Sequence, residues 1–232
     1  MIRIFVEQLE PGQLAIGGDE HHYLGRVRRV RVGDAIELRD AQGRRAAATI
    51  AAMTAAETLV TVGEVLHVAS PVPAIDALVP LIKGDRMDTC LEKLVEVGVD
   101  RVIVWPAERS VVKLDPAKQA ARVEHYAAVA AAAARQSGAR APTIAYAASL
   151  RAAIAGLAPG ARLVLDAGAE RGDAPNDPQI AIASGPEGGL SPAERDLLAA
   201  EGFAAFGLGP RVLRAETAPV IAIAIVRAAT GT

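Results

Sequence analysis

The chain has 232 residues, a net charge of −2 and one cysteine, Cys90. That length buries one large core or two modest ones, and a 51% hydrophobic, 22% charged composition excludes a disordered chain. The single cysteine excludes an intrachain disulfide and a cysteine-built zinc site, the 3% aromatic content argues against stacking several bases on rings, and no apolar run reaches the ~18 uncharged residues of a membrane-spanning helix.

Met1-Ile-Arg-Ile-Phe-Val-Glu7 reads as a strand rather than a signal peptide, so the expected location is the cytoplasm. Residues 35–40 alternate apolar and polar, Ala41-Gln-Gly43 supplies a turn, and residues 44–50 and 58–65 run on as strands. Residues 1–70 are therefore expected to form a small β domain. Ser70-Pro-Val-Pro73 reads as a linker, because proline fixes φ and removes a donor.

From residue 74 to 232 the pattern turns to strand–helix alternation, which implies a mostly parallel sheet in an α/β domain. Residues 77–82 read as a buried strand. Residues 85–97 place Met87, Leu91, Leu94 and Val95 at helical spacing, with Gly98 as C-cap. Residues 101–105 form the next strand; Trp105 is expected to fill the core. Asp115-Pro116 opens a long alanine-rich helix to about Gln136, which Gly138 ends. Residues 162–166 and 180–184 are further strands. Ser191-Pro-Ala-Glu194 is a capping box ahead of a helix that Gly202 stops. Residues 203–208 are a strand and 217–229 an apolar helix.

Two of these strands end in unusual loops. Gly185-Pro-Glu-Gly-Gly189 lets backbone approach a ligand closely, although alone it also reads as a tight turn. It is neither GxGxxG nor a P-loop. Leu208-Gly-Pro-Arg-Val-Leu-Arg-Ala-Glu-Thr217 brings Arg211 and Arg214, three apart, before an apolar helix. Thr217 by itself reads as a helix cap. The arginines suit a phosphate or a developing negative charge. Strand ends of this kind are where α/β proteins build ligand sites.

In the first domain Arg26, Arg28, Arg29 and Arg31 cluster, with Arg44 and Arg45 across a turn. This suits phosphate contacts, or else a solvated charged strand. His21 and His22 lack partners at metal-ligand spacing, and no metal site is expected.

Ser184-Gly-Pro-Glu-Gly-Gly-Leu-Ser191 and Leu208-Gly-Pro-Arg-Val-Leu-Arg-Ala-Glu-Thr-Ala218 together resemble the small-subunit rRNA uracil-N3 methyltransferases (RsmE) of the SPOUT superfamily. His22-Tyr-Leu-Gly-Arg-Val-Arg-Arg-Val30, Lys83-Gly-Asp-Arg-Met-Asp88, Glu96-Val-Gly-Val99, Glu108-Arg-Ser-Val111 and Gln136-Ser-Gly138 extend the resemblance along the whole chain. The family has Glu before Gln-Ser-Gly and Arg after it; this chain has Arg135 and Ala139 there, with Arg140 one residue on.

The resemblance implies a C-terminal trefoil-knot domain binding S-adenosylmethionine and a PUA-like, β-barrel N-terminal domain binding RNA. It further implies a homodimer through the knot and a 16S rRNA substrate on the small ribosomal subunit. The cofactor would meet Leu165 and Asp166, then Gly185, Pro186, Glu187, Gly188 and Gly189, then Leu208, Gly209, Val212, Leu213 and Thr217. RNA would meet Arg26, Arg28, Arg29, Arg31, Lys83 and Arg109. Arg211 or Arg214, with Lys83 a further choice, would stabilise the uracil anion. Glu187 or Glu216 would accept a proton or orient an arginine. The alternatives are a ribose 2′-O-methyltransferase on the same fold and a non-catalytic RNA-binding or assembly module.

Overall fold

The computed structural model describes residues 2–40, 42–67, 72–112, 116–170 and 172–231. Met1, the turn residue Ala41, the linker residues Ser70 and Pro71, and the expected cap Asp115 lie outside these. The chain divides into two units, 1–70 with 135–141, and 71–134 with 142–232.

The first unit is a five-stranded sheet in the order β1-β3-β4-β5-β2. Its strands are β1 (Ile2–Phe5), β2 (Gly12–Ile16), β3 (Ala35–Arg39), β4 (Arg44–Met53) and β5 (Thr58–His67). β1 runs parallel to β3; the other pairs are antiparallel. Register shifts between Ala46 and Ala48 and between Ile50 and Ala52 interrupt the β4–β5 ladder, and such bulges bend a strand. Ile4, Ile16, Ile36, Leu38, Ile50 and Val60 fill one core with Leu24. Within the unit, Arg39 donates to the Gly138 carbonyl at 3.2 Å.

The arginine-rich segment is not a charged strand. A short helix α1 (Gly18–His22) runs into a π-helical turn, Tyr23–Arg28, and Arg29 follows in the left-handed region at φ 51°. Only Leu24 and Val30 of this stretch are buried, so two apolar anchors hold it while Arg26, Arg28, Arg29 and Arg31 stay exposed.

The second unit is a six-stranded parallel sheet, ordered β11-β9-β10-β6-β7-β8. The strands are β6 (Ala74–Pro80), β7 (Arg101–Trp105), β8 (Thr143–Tyr146), β9 (Ala161–Leu165), β10 (Gln179–Ala183) and β11 (Ala204–Phe206). The helices are α2 (Asp85–Glu96), α3 (Gln119–Ser137, after a 3-10 turn Pro116–Lys118), α4 (Leu150–Ala155), α5 (Pro192–Ala200) and α6 (Ala218–Thr230).

Strand alternation sorts the two faces. Ile75, Ala77 and Val79 of β6, Val102 and Val104 of β7, and Ile180 and Ile182 of β10 join α2 and α6 in one core. Leu78, Ile103, Trp105, Ala181 and Ala183 join α4 and α5 in the other. Trp105 is fully buried there.

The α5 capping box forms as expected: Ser191 Oγ accepts from Glu194 N at 3.2 Å and Glu194 Oε2 from Ser191 N at 2.7 Å. Thr217 stands at the N-cap position of α6 yet makes no side-chain cap bond, because its φ and ψ are already helical. Strand β6 begins three residues earlier than expected. Among the described residues no helix is long and apolar enough to cross a membrane.

Candidate functional site

Three segments leave the C-terminal ends of the neighbouring strands β9, β10 and β11. After β9, Asp166 N donates to Phe206 O at 3.3 Å, and Asp166 Oδ1 accepts from Gly168 N at 2.9 Å, which turns the chain. After β10, Ser184 N reaches Leu78 O at 3.0 Å and Gly189 N closes on Pro186 O at 2.8 Å. Gly189 sits at φ 71°, a conformation that favours glycine. At Gly188 a Cβ would stand 3.1 Å from Arg109 Cβ, so this approach also calls for glycine. Arg109 Nη1 donates to Gly188 O at 3.4 Å, and Glu108 N donates to Glu194 Oε1 at 2.8 Å.

After β11, Gly207 N donates to Glu170 O at 3.2 Å, and the chain turns where Thr217 N and Ala218 N both donate to Arg214 O. A Cβ on Gly207 would run into the backbone carbonyl of Ala169. Gly207→Ala is therefore expected to cost about 1–3 kcal/mol by overpacking. Urea unfolding measures it; an unchanged midpoint would show that the two segments part freely.

Together the three segments enclose a cavity of about 610 Å³. Leu165 and Asp166 line it from the first segment, Gly185, Pro186, Glu187 and Gly189 from the second, and Leu208, Gly209, Val212 and Leu213 from the third. Arg211 and Arg214 line it as well. Gly188, Glu216 and Thr217 do not, and neither do Lys83 and Arg109, although all lie in the same unit.

Two ion pairs flank the cavity. Arg86 Nη1 lies 3.1 Å from Glu187 Oε1. Arg214 Nη1 lies 3.8 Å from Glu216 Oε1, where the arginine is 78% exposed and the glutamate only 12%. Glu216 Oε2 is buried and makes no hydrogen bond among the described residues. Nearby on α2, burial pushes the Cys90 thiol up to about 12, and the Glu216 carboxylate adds to the shift. The thiol is thus protonated at neutral pH and inert as a nucleophile. Among the described residues no group of three His, Cys, Asp or Glu side chains is placed to hold a metal ion.

Sequence reasoning missed several members of the site. Arg195 and Leu198 of α5, with Phe203 just after it, form one wall, and Arg195 donates to Leu190 O at 2.9 Å. The sequence assigns Arg195 and Leu198 only to the helix after the capping box and Phe203 only to a strand, and the cavity shows what they face. In the Lys83–Asp88 motif Lys83 drew attention, yet Arg86 is the residue that meets Glu187. Knowing that β6 lies beside β10 was the missing signal.

The family model described as an RNA methyltransferase domain matches residues 69–227. A second, described as an RNA methyltransferase PUA domain, matches residues 16–58. The ribosomal RNA small subunit methyltransferase E of Mycobacterium bovis is 30% identical over 91% of this chain and 84% of its own length. The chain belongs to the ribosomal RNA small subunit methyltransferase E family. The Bacillus subtilis protein of that name is 29% identical over 97% of this chain and 96% of its own. A crystal structure of the Neisseria gonorrhoeae protein, bound to S-adenosyl methionine, superimposes with a TM-score of 0.78 at 28% identity, covering 98% of this chain and 97% of that one. Within this methyltransferase family frame, the longer match contains all three cavity-forming segments, and the PUA match contains the arginine-bearing π-helical turn.

Proposed function

We propose that this protein transfers the methyl group of S-adenosylmethionine to N3 of a uracil in 16S rRNA of the small ribosomal subunit. The observation that carries the reading is the convergence of Glu187, Arg211 and Arg214 on one cavity formed by the loops after β9, β10 and β11. The residues suit the donor. The volume lies in the range of small-molecule sites. Leu165, Leu208, Leu213 and Phe203 offer apolar surface to an adenine, and Asp166 and Glu187 offer carboxylates to cationic groups. Gly209, at φ 105° with nothing within 4 Å of where a Cβ would stand, leaves bare backbone on the lining.

The donor supplies an electrophilic sulfonium methyl, so that an N–C bond forms as the C–S bond breaks. The protein's part is positioning and charge. Glu187, on the lining, takes the N3 proton or fixes the base by its carboxylate. As that proton leaves, charge spreads to the flanking carbonyl oxygens, and the guanidinium of Arg214 or Arg211 stabilises it. Glu216, off the lining and largely buried, orients Arg214 rather than exchanging protons with substrate. The target uracil is unstacked, because N3 lies on the pairing edge.

In the PUA-like unit, the exposed Arg26, Arg28, Arg29 and Arg31 meet RNA phosphates. Lys83 and Arg109 serve the same polyanion from the methyltransferase domain. The trefoil knot is supported by the close approach of Gly207 to Glu170, whose backbones hydrogen-bond at 3.2 Å, and a homodimer by the apolar, partly exposed Val220, Ile221 and Ile225 on α6. A ribosomal substrate supports a location in the cytoplasm.

The deciding experiment incubates the protein with labelled S-adenosylmethionine and small subunits from a strain lacking this modification. Digestion to nucleosides is expected to put the label on uracil N3. Label on a ribose hydroxyl would favour the 2′-O-methyltransferase. No label, with no calorimetric heat on adding the donor, would favour a non-catalytic RNA-binding module.

A further inference from the structure

We propose that Arg86 is a positioning residue that fixes the Glu187 carboxylate at the cavity wall for methyl transfer; this rests on the reading of Glu187 given above. Strands β6 and β10 are hydrogen-bonded neighbours in parallel register, Leu78 opposite Ala183. The segments that follow them therefore emerge at the same end of the sheet. One enters α2, whose first turn carries Arg86; the other is the loop Gly185–Gly189. This brings Arg86 Nη1 to 3.1 Å from Glu187 Oε1.

The backbone of that loop is held by other means, through Gly189 N to Pro186 O and Arg109 to Gly188 O. Those bonds do not orient the Glu187 side chain. Its ion-pair partner among the described residues is Arg86. The pair is 41% and 31% exposed, and exposed pairs contribute little to stability. It is therefore a poor candidate for a fold-stabilising device. Arg86 does not line the cavity, so its effect on chemistry passes through Glu187. A guanidinium suits this task better than a lysine ammonium, because its donors are fixed in one plane on a pre-organised group.

The test compares wild type, Arg86→Ala, Arg86→Lys, Glu187→Gln and the Arg86→Ala/Glu187→Gln double variant, with labelled S-adenosylmethionine and small subunits as substrates. Arg86→Ala is expected to lower kcat by about 10- to 100-fold, the scale of a misplaced catalytic group. Its affinity for S-adenosylmethionine by calorimetry should stay within about twofold of wild type. Arg86→Lys should recover part of the lost kcat, and the double variant should be no slower than Glu187→Gln alone. Wild-type kcat in Arg86→Ala or in Glu187→Gln overturns the proposal. So does a double variant whose loss is the product of the single losses, since Arg86 would then act independently. A parallel loss of donor affinity and kcat overturns it too, by making Arg86 structural. Absence of transfer by the wild-type protein is a separate outcome that removes the methyltransferase reading itself.

Discussion

Arg214→Ala is expected to slow methyl transfer by about 100- to 1,000-fold, the usual effect of deleting one donor aimed at a developing oxyanion. Folding and donor binding should survive. The Arg214 side chain is 78% exposed, so its removal empties no core. Its ion-pair partner Glu216 is mostly buried and lies off the cavity, which gives the arginine a fixed base and a free end. A uracil N3 that has lost its proton places charge on two carbonyl oxygens, and a guanidinium presents donors in a geometry that meets them. Single-turnover rates on small subunits measure the effect, with calorimetry and thermal melting alongside. Arg211→Ala is the comparison, because Arg211 lines the same cavity but has no ion pair among the described residues to hold it. Wild-type turnover in Arg214→Ala with a large loss in Arg211→Ala would move the role to Arg211.

What the sequence revealed follows from the range of the interactions involved. Strand β7 and the α5 capping box are local: a short apolar run between turn residues, and two side chains three residues apart, specify themselves. Strand β6 is buried on both faces, but Asp76, which pairs with Arg101 of β7, breaks its apolar run, so the sequence signal begins at residue 77, three residues late. Helix α4 and edge strand β8 are six and four residues long, too short for a periodicity to declare itself. The arginine segment misled because charge dominates it, while two buried side chains, Leu24 and Val30, decide its path. The glycine loop and the Arg211–Arg214 loop announced a site by composition. Their convergence, and the entry of Arg86, depend on strand order, which no local pattern encodes.

Stability and activity should separate cleanly when the second large effect is tested, at Arg227. This arginine lies on the buried side of α6, with its side chain 7% exposed. Nε donates to Gly98 O at 3.1 Å, Nη1 to Pro73 O at 2.6 Å and Nη2 to Asp100 Oδ2 at 2.9 Å. One guanidinium thus ties α6 to the turn between α2 and β7 and to the residue ahead of β6. Gly98 adopts φ 85°, and Arg227 Nε lies 3.4 Å from where a Cβ on that glycine would stand. Arg227→Ala strands the buried Pro73 carbonyl and the part-buried Gly98 carbonyl, and leaves the Asp100 carboxylate, among the described residues, with the Ile75 N–H at 2.9 Å. Removing one partner of a buried, hydrogen-bonded pair costs about 3–5 kcal/mol, and that loss is expected here as a lower urea midpoint with an unchanged slope. Because the clamp acts on the base of α6 and not on the cavity, the folded fraction should keep its turnover per molecule. A loss under about 1 kcal/mol would mean that water replaces the guanidinium as easily as at the surface. The C-terminal helix would then be held by its apolar contacts, chiefly Ala222, Ile223 and Val226 with Val220 and Ile225 packed beside them.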